Sequence, residues 1–88
     1  MIGRGRAVAA AAEGHPTADI VRAVFDPPGD DRKGVHVWVV AMNVDEWQPC
    51  ALEQGIERRC HIASRTVTLD ARTGEIVDIE ESGAITRP

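Results

Sequence analysis

Seventeen of the twenty Val, Ile, Leu and Phe residues in this 88-residue chain are β-branched: ten Val and seven Ile, against two Leu and one Phe. Such side chains lose rotamer freedom in a helix and pack well on a pleated surface. The core of this chain is therefore expected to come mainly from strands. Alanine is distributed differently. Five of the twelve Ala fall within residues 7–12, where they favour helix. Twenty large apolar residues make a thin core, and this length holds one domain at most. With a net charge of −4 the composition stays on the folded side of the disorder boundary. The acidic balance argues against a nucleic-acid partner. No run approaches the ~18 apolar residues of a membrane span.

Ala7–Glu13 reads as a short helix that Gly14 ends and Pro16 prevents from continuing. Arg4 and Arg6 before the Ala run have the charge of a signal peptide, but the apolar stretch is too short for an h-region. Residues 1–6 are expected to be a flexible N-terminus. Ala18–Asp26 fits a helical stripe through Ile20, Val21, Val24 and Phe25. It also fits a strand with Val21, Ala23 and Phe25 on one face. The strand is preferred because the following segment looks like the return arm of a hairpin. Asp26–Gly34, with two Pro, two Gly and five charges, reads as a solvated loop.

Val35–Val44 is apolar on both faces, as in a central strand. Asp45–Ile62 breaks the pattern with polar residues, Pro49, Gly55 and both cysteines, and is expected to be a long irregular loop. Ala63–Ala71 alternates like a half-exposed antiparallel strand, with Ser64, Thr66, Thr68 and Asp70 on the polar face. Arg72-Thr73-Gly74 reads as a turn. Glu75–Glu81 is the last strand, with Val77 and Ile79 inward and Ile76 outward. Ser82–Pro88 is expected to fray. The fold expected is α+β: one N-terminal helix packed on a four-stranded antiparallel sheet.

This order of elements, with Val37-Trp38-Val39-Val40 and the run Val67-Thr68-Leu69-Asp70-Ala71-Arg72-Thr73-Gly74-Glu75-Ile76-Val77, resembles the PepSY domain family over residues 7–81. The resemblance implies a helix on a small antiparallel sheet and an extracytoplasmic location. It implies a non-enzymatic regulatory or peptidase-inhibiting role, with a peptidase or a cell-envelope protein as partner. No catalytic residue, metal or cofactor carries over. The matched positions have structural roles: Trp38 fills the core, Asp70 bonds turn N–H groups, and Gly74 provides left-handed backbone geometry.

Cys50 and Cys60 are the only cysteines, and both fall in the least regular segment, which predicts a disulfide. Closing that loop is worth about 2.7 kcal/mol in the chain-entropy model. It would also place the protein in an oxidising compartment. Two reduced structural thiols are the first alternative. The second is a metal role drawing on Cys50, Cys60 and His61 with His36 or His15, although zinc sites commonly pair Cys two to four residues apart. Ser64, His61 and Asp70 lack the nucleophile elbow of a hydrolase.

Asp45, Glu46 and Trp47 are the candidate partner-binding residues, because Trp is enriched at interface hot spots. The plainer alternative folds Trp47 back over the sheet edge. Glu75, Asp78, Glu80 and Glu81 form an acidic end that blunts an edge strand against unwanted pairing. Two further function classes fit the same sequence. One is a small cytoplasmic structural or assembly protein that forms a homodimer through a strand edge. The other is a small zinc-binding regulator.

Overall fold

The structure, a computed structural model, describes residues 1–26 and 36–85, with residues 50–53, 56–58, 84 and 85 described by backbone alone. Helix α1 (Arg4–Ala11) precedes strands β1 (Asp19–Asp26), β2 (Val37–Glu53), β3 (Ile56–Asp70) and β4 (Ile76–Ile85). The strands form one antiparallel sheet in the order β1-β2-β3-β4, so each strand lies beside its neighbour in sequence. This is the α+β fold expected, with 19–26 as a strand. Beyond Asp26, the charged link lies outside the described residues, as do the last three residues of the expected frayed end.

The register places side chains in rows across the sheet, because directly opposed residues of an antiparallel ladder share a face. On the helix side the rows are Phe25–Trp38–Leu69–Ile76, Ala23–Val40–Val67–Ile79 and Ile20–Met42–Arg65–Glu81. Val40, Met42, Val67 and Leu69 at the centre of these rows are buried, and they share a core with Ala7 and Ala11 of α1. Ala7 and Ala11 lie four apart on one helix face, and their small side chains let the helix approach the sheet closely. An eight-residue Ala helix without a side-chain cap depends on that packing for its stability. The other sheet face has no helix over it. Its rows include Val24–Val39–Thr68–Asp78 and Arg22–Ala41–Thr66–Glu80.

Several sequence expectations need correction. The N-terminus is anchored: the Ile2 N–H donates to the Ala71 carbonyl (2.7 Å), the Trp38 indole N–H donates to the Ile2 carbonyl (3.1 Å), and Ile2 is buried. The helix therefore starts at Arg4, not Ala7. Residues 45–62 are not a loop. They continue β2 and β3 into a hairpin closed at Gln54-Gly55, both at positive φ (51° and 77°), the geometry of a two-residue hairpin loop. Pro49 is tolerated because β1 pairing stops at Asn43, which leaves β2 an open edge, and because a bulge follows between Pro49 and Ala51. β4 continues through Ser82 to Ile85, pairing as far as Cys60.

Two more bulges change face assignments. One between Ile20 and Arg22 returns Ile20 to the face of Ala23 and Phe25 and leaves Val21 exposed. One at Val77 puts Ile76 opposite Leu69 on the helix side, not outward, and exposes Val77.

Candidate functional site

The hairpin arm beyond Asn43 carries the residues singled out for partner binding. Asp45 and Glu46 are consecutive and turn to opposite sides of the strand. Glu46 meets the connector after α1, where His15 Nδ1 donates to Glu46 Oε2 (2.6 Å). Asp45 Oδ1 accepts from His61 Nε2 (2.5 Å). Trp47 is directly opposed to His61, with ring centroids 5.0 Å apart, and remains 49% exposed. Asp45 thus fixes the imidazole, and the imidazole supports one face of the indole. The result is a rigid exposed aromatic surface beside an acidic group, on the side of the arm away from α1.

The sequence marked all three of these binding candidates but considered His15 and His61 only as metal ligands. Their pairing with Glu46 and Asp45 depends on the long β2–β3 register, which periodicity did not reveal. Among the described residues no group of three or more His, Cys, Asp or Glu side chains gathers as a metal would require. His36 instead stacks on Phe25 at 5.3 Å. The Ser64, His61 and Asp70 set does not assemble. The carboxylate partner of His61 is Asp45, and the Ser64 hydroxyl bonds that of Ser82. Asp70 sits at the far end of the same strand, nine residues and about 30 Å from His61.

The structural positions lie at the end of the sheet opposite the arm. Asp70 Oδ1 accepts from the Arg72 N–H (2.8 Å), the Asp70 carbonyl accepts from the Gly74 N–H (2.8 Å), and Gly74 has φ +81°. Trp38 is half-buried between Phe25 and the N-terminal segment.

Cys60 is half-buried and is not a free thiol. It occupies the last β3 position paired to β4, opposite Ile85. Beyond it the arm is only two strands wide. The Cys50 backbone lies on the facing strand, in the bulge between Pro49 and Ala51 and next to the Gln48–Cys60 and Pro49–Arg59 pairs.

No protein-family model matches this chain. No curated protein and no solved structure is similar to it. Among the described residues no helix is long and apolar enough to cross a membrane.

Proposed function

We propose that this chain is a non-enzymatic, extracytoplasmic protein-binding or regulatory module of the PepSY type, with peptidase inhibition as the role that the resemblance implies. The observation that carries this reading is Trp47, held half-exposed on the hairpin arm by His61 and Asp45. A large aromatic residue fixed at the surface binds with little loss of side-chain entropy, which suits it to be an interface anchor. A Cys50–Cys60 disulfide is part of the proposal. It would close the arm where the sheet narrows to two strands, and an isolated two-stranded hairpin is marginal in water. It would also persist only in an oxidising compartment.

The test is site-specific photocrosslinking in the producing cell, with a photoreactive amino acid at position 47 and a control at exposed Glu13. The expected result is a discrete adduct with an extracytoplasmic protein from position 47 and none from position 13. No adduct from position 47, or adducts with cytoplasmic proteins alone, would contradict the proposal. A second reading, a cytoplasmic assembly protein that dimerises through its sheet, is favoured by exposed Val21, Val24 and Phe25 on the β1 edge. Cytoplasmic adducts together with a dimer in solution would support it.

A further inference from the structure

β4 is an edge strand whose two sides differ in chemistry. On the helix side, Ile76 and Ile79 continue the rows of Leu69 and Val67, but they remain 44% and 42% exposed. Helix α1 packs over β1, β2 and β3 and does not reach them. On the open side, Asp78 lies beside Thr68 and Glu80 beside Thr66. Neither acid has an ion-pair partner among the described residues. Glu81, on the helix side, is different: it accepts from Arg65 (2.9 Å). An edge strand also turns alternate backbone N–H and C=O groups outward, ready for another strand.

These features select against a second copy. In the antiparallel register that sets Ile79 against its own copy, Asp78 faces Glu80 twice, and like charges directly opposite are destabilising. The other edge, β1, offers a single cation, Arg22, between Asp19 and Asp26, so it has no basic row to match. The complementary strand must therefore come from another protein. Strand addition draws affinity from main-chain bonds and specificity from alternate side chains.

We infer that β4 accepts an extended segment of a partner in which Lys or Arg alternates with apolar residues. The basic side chains lie over Asp78 and Glu80, and an apolar one lies beside Ile79. The acids thus admit a basic strand and reject acidic ones, including the chain's own β4. This inference rests on the protein-binding reading and names its partner chemistry.

The test is amide hydrogen exchange, read by NMR on the full chain, with an acetylated six-residue peptide alternating Arg and Val. A peptide of the same composition with three Arg followed by three Val is the control. The alternating peptide is expected to slow exchange of alternate amides in 76–82 by about tenfold or more, with the block peptide ineffective. The effect is expected to disappear in Asp78→Lys/Glu80→Lys, whose fold is checked by retained β2–β3 protection, and to survive in Trp47→Ala. No protection of β4 would overturn the inference, as would equal protection by the block peptide or protection that survives the double substitution. Protection of β1 alone, or concentration-dependent protection of β4 without peptide, would overturn it too. Because the crosslinking test reads position 47, an adduct there with no β4 effect would leave the protein-binding reading standing and remove only the strand-addition claim.

Discussion

Neighbouring acids on β4 have different structural roles. Glu81 is mostly sheltered and bonds Arg65, whose side chain is also largely buried beside Met42 and has an Nε atom without a partner among the described residues. Removing Glu81 would leave that guanidinium poorly solvated and unpaired. Hydrogen bonds between charged groups contribute about 1.5–3 kcal/mol. Glu81→Ala is therefore expected to destabilise the fold by about 1–2 kcal/mol in urea unfolding. Glu80→Ala, on the exposed face without an ion pair, is expected to change it by under about 0.5 kcal/mol. Equal losses from the two substitutions would contradict the side assignments on β4. At the same scale, the Trp38–Ile2 bond explains why the N-terminus is ordered: a buried indole N–H needs an acceptor, and the chain end supplies a carbonyl.

The sequence made some elements legible and concealed others. β-branched composition identified the strands, and the Ala run identified the helix. Alternation in Ala63–Ala71 matches the structure because that stretch of β3 packs one face on the core. The segment 19–26 was ambiguous because the bulge at Val21 shifts its apolar residues out of strict alternation, so they also match a helical stripe. Ile76 looked misplaced for the same reason, since the bulge at Val77 resets the period by one residue. The hairpin arm was missed because it extends past the core. Strands without a buried face need no apolar alternation, and Pro49 argued against a strand. Its available signal was Gly55 between two polar stretches.

Gly83 has a different requirement. A Cβ there would collide with the His61 carbonyl, where β4 approaches β3 most closely beside the bulge between Ile62 and Ser64. Gly83→Ala is expected to release the end of β4. Faster amide exchange over 83–85 should appear with a loss of about 1–3 kcal/mol. Unchanged exchange there would contradict the register.

The whole molecule is elongated, 46 × 27 × 17 Å with a radius of gyration of 15.2 Å, where a compact chain of this length would have about 12 Å. The arm accounts for the difference. One small helix covers the middle of the sheet, which leaves one face, two edges and the arm available to partners. A thin core stabilises the central strands but contributes little beyond Asn43, and from Pro49 to Arg59 only two strands remain. The account therefore depends on a covalent staple between Cys50 and Cys60.

Thiol titration tests this most directly. Producing cells are quenched with acid, and the protein is denatured and titrated with and without reductant. The account predicts no reactive thiol before reduction and two afterwards. Two free thiols before reduction would contradict both the staple and the oxidising compartment.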